Sequence, residues 1–287
     1  MAGMRVVVVD DSSFSIAFIR GILEEHGFEV VGEAGSLEEV KKVVQEKKPN
    51  LVTMDMTLPG TDGLECTRAI HEIDRGIRVI VVSSMKDDEI VQTAKDNGVS
   101  AYIQKPVDSE ELITAIKRIM ASDELYQFLE QKYSTVFKEA LMDGMNRLTK
   151  TLITYKDEYI LSDEYSSKGM TILVGIIGQF SGRMFIDLSR ETAGQIATAM
   201  LKKTAANNDE ITGVLGEFAN IVSGNACSIL NRKNKALGLR VAPPSILYGD
   251  KILISAPDFI TTTAVAETQF GEVLLNIGFK RGDDKWM

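Results

Sequence analysis

Apolar and polar positions follow two rhythms along this chain. Through residue 120, short β-branched runs alternate with segments of helical period: Arg5 to Val9, Phe14 to Glu25, Glu29 to Ala34, Leu37 to Glu46, Leu51 to Asp55, Leu64 to Ile73, Arg78 to Ser83, Glu89 to Asn97, Ala101 to Gln104 and Ser109 to Met120. The pattern predicts five βα units. Runs such as Val6-Val7-Val8-Val9 and Val79-Ile80-Val81-Val82 are apolar on both faces, as a parallel sheet covered by helices on both sides requires.

After Ala121 the rhythm changes. Ser122 to Ile153 reads as one or two helices, with Leu125, Phe128, Leu129, Val136, Phe137, Leu141, Met145 and Leu148 along the apolar stripe. A strand pair follows, Thr171 to Phe180 and Arg183 to Leu188, turning at Ser181-Gly182. Then come a helix from Glu191 to Lys203, a helix from Asp209 to Asn231, and three or four strands between Leu239 and Phe279. These elements predict an α+β domain with an antiparallel sheet. The expected division is 1–121 and 122–287, with 122–136 a helical linker, and the lack of a Pro-rich spacer leaves open a continuous helix across the boundary near residue 122.

Composition narrows the classes. At 287 residues and 44% hydrophobic, the chain has apolar material for two cores. No run approaches the roughly 20 apolar residues of a membrane span; Met170 to Phe180 is short and broken by glycines. The first apolar run ends at once in Asp10-Asp11, unlike a secretory leader, so the expectation is a cytoplasmic protein without membrane insertion. A net charge of −9 argues against a nucleic-acid partner. Residues 1–121 hold 14 Lys+Arg against 21 Asp+Glu, and the remainder 18 against 20, so the acidity is concentrated in the first half. Cys66 and Cys227, with only two histidines in the chain, have no zinc-ligand spacing and read as buried free thiols.

In an open parallel sheet, functional groups collect at the carboxyl ends of the strands. Here those ends carry Asp10-Asp11, Asp55, Ser83 and Lys105. Taken singly, the acidic pair could end a strand and cap a helix, Ser83 could belong to a turn, and Lys105-Pro106 means little. Together, on the ends of strands one, three, four and five, they describe a pocket. Converging carboxylates would repel one another unless they shared a hard divalent cation, most simply Mg2+. Asp55 could then attack phosphorus, with the metal and Lys105 offsetting the incoming charge.

The motifs VVVVDDS, MDMTLPGTDG, VVSSM and YIQKP make the first 121 residues resemble a CheY-type response-regulator receiver domain. That resemblance implies a flavodoxin-like (βα)5 fold. It further implies Asp55 as the phosphoacceptor, and Mg2+ held by Asp10, Asp11, Asp55 and the backbone carbonyl of Thr57. Lys105 is implied as a phosphate-binding group, and Ser83 and Tyr102 as the hydroxyl and aromatic that rearrange on phosphorylation. Thr57 and Met85 occupy positions that vary in the family and influence hydrolysis rate.

In the second half, Ile211, Val214, Leu215, Phe218, Val222 and Ile229 share one face of the Asp209 to Asn231 helix, and Gly213, Glu217, Asn220, Gly224, Cys227 and Asn231 another. Two glycines inside a helix each cost roughly 1 kcal/mol relative to alanine, which points to a close approach on that face. Alone, the polar face reads as solvent-facing surface. Beside an aspartyl phosphate it gains a use, because an amide can orient the hydrolytic water and Glu217 can pair with a receiver lysine.

From about residue 123 onward the chain is similar to the CheC/CheX/FliM class, and EFANIVSGNA matches its ExxN phosphatase signature. The resemblance implies Glu217 and Asn220 as the catalytic pair acting on phosphorylated CheY-type receivers, and a possible homodimer paired through the sheet. Aligning Gly144 with Gly224 puts Phe137 and Ala140 opposite Glu217 and Asn220, so one centre per chain, the CheX arrangement, is expected. Asp143 and Asn146 form a lesser DxxN candidate. The leading expectation is a chemotaxis response regulator that takes phosphate on Asp55 from a CheA-like sensor histidine kinase and dephosphorylates a CheY-type receiver, a partner's or its own. The alternative is a non-enzymatic adaptor binding flagellar-motor or signalling proteins when phosphorylated.

Overall fold

In the computed structural model, described over residues 4–85, 87–204, 207–249 and 251–281, the first half runs β1 (Arg5–Val9), α1 (Ser13–Glu25), β2 (Glu29–Ala34), α2 (Leu37–Lys47) and β3 (Leu51–Asp55). It continues through a short antiparallel ladder of β4 (Thr57–Leu58) and β5 (Thr61–Asp62) to α3 (Gly63–Ile73), β6 (Arg78–Ser83), α4 (Asp88–Asp96), β7 (Ala101–Gln104) and α5 (Ser109–Thr149). The five long strands form one parallel sheet in the order β2-β1-β3-β6-β7. Within β1, Val6 and Val8 pack with Ile19, Leu23, Leu112 and Ile116, while Val7 and Val9 pack with Val40, Val44 and Ile70. Both faces are therefore core, as the unbroken valine run requires. Polar side chains start the helices: Ser12, Ser36 and Asp62 accept from the backbone N–H of Ser15, Glu39 and Glu65.

The described residues fall into two units, 4–123 and 124–281. The segments on either side of residue 121 run on as one helix, α5, the continuous helix that the missing spacer left open. Its residues Leu129, Tyr133 and Val136, inside the stretch expected to be linker, are buried in the core of the second unit.

The second unit adds β8 (Thr154–Leu161), β9 (Tyr165–Ser166), β10 (Gly169–Ile177), β11 (Gly182–Ser189), α6 (Arg190–Leu201), α7 (Asn208–Lys233), β12 (Arg240–Val241), β13 (Ser245–Tyr248), β14 (Leu253–Ile254), β15 (Thr261–Thr268) and β16 (Gly271–Phe279). Its sheet is antiparallel, ordered β12-β10-β11-β16-β15-β8, with β13 also paired to β10. Phe137 and Leu141 of α5, Ile196 of α6 and Phe218 and Val222 of α7 cover one face, meeting Ile172, Val174, Ile186 and Ile277. On the other face, the β9-β14 ladder packs Tyr165 and Ile254 over Phe185, Val265 and Leu274. The edge strand β8 was not expected from the sequence. Both cysteines are free and buried, and burial pushes the Cys227 thiol up to about 12. Among the described residues, no helix is long and apolar enough to cross a membrane.

Candidate functional site

The sheet order places β1 beside β3, so the residues that leave these strands at their carboxyl ends meet. Asp10 follows β1, its N–H bonded to Ala34 O and its Oδ1 accepting from Ser12 N at 2.9 Å. Asp10 and Asp55 are buried and Asp11 is exposed, and one carboxylate oxygen from each lies within 4.8 Å of the others. Lys105, after β7, reaches across to both buried acids: its Nζ is 2.9 Å from Asp10 Oδ2 and 3.2 Å from Asp55 Oδ1. Gly63 lets α3 start against the end of β3, since a Cβ there would lie 2.5 Å from Asp55 O.

Burial pushes the Asp55 carboxyl up, opposed by the charge and hydrogen bond of Lys105 and reinforced by Asp10, and it stands above the usual carboxylate value. Burial lowers Lys105, but its bonds to Asp10 and Asp55 outweigh that and hold the ammonium above its ordinary value. Three carboxylates against one ammonium leave a deficit of positive charge, with oxygen ligands already gathered on the sheet's crevice. That donor set fits a hard divalent cation such as Mg2+. Thr57, expected to contribute its carbonyl, lies in β4 two residues beyond Asp55 and is exposed.

Ser83 ends β6, one residue beyond Val82, the cross-strand partner of Asp55. Its buried Oγ accepts from Met85 N at 3.1 Å, and Tyr102 Oη donates to Met85 O at 2.8 Å. The two residues read as switch groups are thus joined through the backbone of Met85.

In the second unit, Glu217 is exposed and Asn220 half-buried on α7, one turn apart, and neither side chain has a hydrogen-bond partner among the described residues. A Cβ added at Gly213 or Gly224 would meet nothing within 4 Å, so the protein's own packing does not require these glycines. The two-face reading of the helix needs correction. Cys227, placed on the small and polar face, is buried; Ile211, Val214 and Ile229, placed in the core, are only partly so. The buried arc is wider than the apolar stripe because two neighbours share it: Phe218 and Val222 meet Gly144 of α5, and Gly216 meets Ile246 of β13. Asn231 is taken up structurally, bonding both N and O of Leu239 at 2.8 Å. On α5, Phe137 and Ala140 are buried, while Asp143 and Asn146 are exposed and Asp143 pairs with Arg147 at 3.4 Å.

A parallel sheet that gathers three carboxylates, a serine and a lysine at its strand ends, joined to an antiparallel sheet backed by helices, defines a two-domain signalling protein. The chain belongs to the response-regulator receiver family: the family model described as "Response regulator receiver domain" matches residues 6–117. The model described as "Chemotaxis phosphatase CheX" matches residues 170–266. The chain is therefore a response regulator of the chemotaxis type with a CheX-type second domain. Among its relatives, the chemotaxis protein CheY of Bacillus subtilis is 35% identical over 116 residues, 40% of this chain and 97% of that protein. The CheY of Halobacterium salinarum is 36% identical over 118 residues, 41% of this chain and 98% of that protein. The crystal structure of CheX from Vibrio vulnificus is similar with 24% identity and a TM-score of 0.48, covering 52% of this chain and 99% of that one.

Proposed function

We propose that this protein is a phosphorylation-regulated aspartyl-phosphate phosphatase acting on CheY-type receivers. The first unit takes a phosphoryl group on Asp55 from a CheA-like histidine kinase. Asp55 supplies the attacking oxygen, Lys105 Nζ at 3.2 Å faces the charge that arrives, and Ser83 offers its hydroxyl to a phosphoryl oxygen. When bound by Asp10, Asp11 and Asp55, Mg2+ neutralises charge on these oxygens.

The second unit hydrolyses such a group on a receiver. The water oxygen attacks phosphorus, the bond from phosphorus to the aspartyl oxygen breaks, and the carboxylate leaves with that electron pair. The water protons pass to phosphate and solvent. Asn220 holds the water in line through its amide, and Glu217 pairs with the receiver lysine equivalent to Lys105. The observation that carries this reading is the unpartnered Glu217/Asn220 pair on a face left open by Gly213 and Gly224. A surface with no partner would gain stability from alanine at both glycines.

The test is phosphate release from a phosphorylated CheY-type receiver with wild-type, Asp55→Asn and Asn220→Ala chains. Asn220→Ala should slow release at least a hundredfold with the fold intact. Wild-type rates in that variant would refute the proposal.

A further inference from the structure

Beyond the Glu217/Asn220 pair, α7 leads into a stretch of unusual charge. Residues 218–249 contain no Asp or Glu and four cations, Arg232, Lys233, Lys235 and Arg240, in a chain of net charge −9. All four are exposed, and none has an ion pair or a side-chain hydrogen bond among the described residues. Arg232 and Lys233 lie in the last turn of α7, where cations complement the helix dipole. Lys235 and Arg240 lie beyond the helix, and that account does not cover them.

The patch is continuous with the open face. Asn231 follows Asn220 by eleven residues, about three turns, which returns it to the same side of the helix roughly 16 Å toward the C-terminus. Asn231 grips Leu239 through both backbone groups, so Arg240 emerges beside the stripe that carries Asn220.

A CheY-type receiver offers the opposite charge in the corresponding place. In this chain's own receiver, Asp87, Asp88 and Glu89 are exposed at the start of α4, just past Ser83 at the rim of the phosphoacceptor pocket. We propose that Arg232, Lys233, Lys235 and Arg240 form a docking surface for this acidic rim of a receiver presented by another molecule. It fixes the direction in which α7 lies: Glu217 on the receiver lysine, the basic end over the β6-α4 rim. This rests on the phosphatase reading for its orientation. Opposite charges on a partner steer encounter and set register more than they alter the chemical step.

The experiment uses two full-length chains. The substrate is the Asn220→Ala chain phosphorylated on Asp55 with a small-molecule phosphodonor. The enzyme is the Asp55→Asn chain, with or without Lys235→Glu/Arg240→Glu. The charge reversal should raise KM about tenfold at low salt with kcat unchanged. The difference should fade near 0.5 M salt, where screening shortens to roughly 4 Å. Asp87→Lys/Asp88→Lys in the substrate should recover most of the loss. Association of the same pairs, with the substrate chain activated by beryllofluoride, is measured in parallel. Should neither this enzyme chain nor a wild-type enzyme chain activated at Asp55 by beryllofluoride hydrolyse the substrate, the phosphatase reading fails while weaker association of the reversed variant still supports the docking surface. Unchanged KM and unchanged association overturn it, whatever the outcome for catalysis.

Discussion

Tyr165 Oη donates a 2.7 Å hydrogen bond to Oδ2 of Asp187, a carboxylate with no exposed surface in the middle of β11. Ser167 Oγ and Thr171 Oγ1 donate to Oδ1 at 2.6 Å, and Lys168 N–H to Oδ2 at 2.9 Å. Four donors replace the water that burial removes, and three of them, from Tyr165, Ser167 and Lys168, fasten the segment carrying β9 onto the outer face of the sheet. Tyr165→Phe removes one charge-assisted bond and should destabilise the second unit by about 2 kcal/mol. Asp187→Leu strands the Tyr165 hydroxyl and the Lys168 N–H, leaving Thr171 Oγ1 with Ser167 Oγ at 2.9 Å, and should cost more, about 3 kcal/mol or above. Denaturant unfolding of the full chain checks both. Equal, near-zero effects would mean the network is not holding the segment.

Burial raises the phenols of Tyr155 and Tyr165 well above the ordinary tyrosine value, with the Glu158 charge adding to the first and the Asp187 bond and charge to the second. A group with its folded pKa above the unfolded one contributes stability that is full below the unfolded value, about 10, and is lost as pH rises toward the folded one. The protein should therefore lose stability above pH ~10. In alkaline titration at 295 nm, fewer than the seven tyrosines of the chain should ionise by pH ~11 while it stays folded. Tyr155→Phe should leave that amplitude unchanged, and a drop would show the phenol to be titrating freely.

Gly144 and Gly224 make opposite predictions from the same substitution. A Cβ at Gly144 would lie 3.2 Å from Phe218 Cε2 and from Val222 Cγ2, where α5 and α7 meet. Gly144→Ala should cost about 1 to 2 kcal/mol through overpacking, net of its helical gain. Gly213→Ala and Gly224→Ala face open space and should each stabilise by up to about 1 kcal/mol. If that face receives a receiver, Gly224→Leu should leave stability near wild type and slow dephosphorylation at least tenfold. Undiminished dephosphorylation by Gly224→Leu would remove the proposed reason for the glycine.

The first unit was legible because its strands are apolar on both faces and its polar groups fall at strand ends, so a local pattern already encodes the sheet and its crevice. β8 escaped because an edge strand buries little: most of TYKDEYIL is exposed, and neither strict alternation nor an apolar run marks it. Asp187 escaped for another reason. Its hydrogen-bond partners lie 16 to 22 residues away in the chain, and nothing local separates a satisfied buried carboxylate from a surface one. That Glu217 and Asn220 lie one turn apart on a single helix was legible from their spacing, but the width of the buried arc on α7 was not, since it depends on Gly144 and Ile246 from elsewhere in the chain.

A divalent cation held by Asp10, Asp11 and Asp55 would compete with Lys105 for the same oxygens, which would give the lysine two opposed effects. Its ammonium sits 2.9 Å from Asp10 Oδ2 and 3.2 Å from Asp55 Oδ1, two of the carboxylates that would ligate Mg2+. Lys105→Ala removes a positive charge from the edge of that site, so Mg2+ should bind more tightly, by about three- to tenfold in calorimetry at low salt. The same change removes the cation that faces the incoming phosphoryl group, so incorporation of phosphate at Asp55 from a small donor should slow by about a hundredfold. Chelation of the metal should abolish incorporation in both proteins. A variant that binds Mg2+ more weakly would show that Lys105 orders the carboxylates rather than competing for them. One that is phosphorylated at the wild-type rate would show that the ammonium makes no contribution to the transfer.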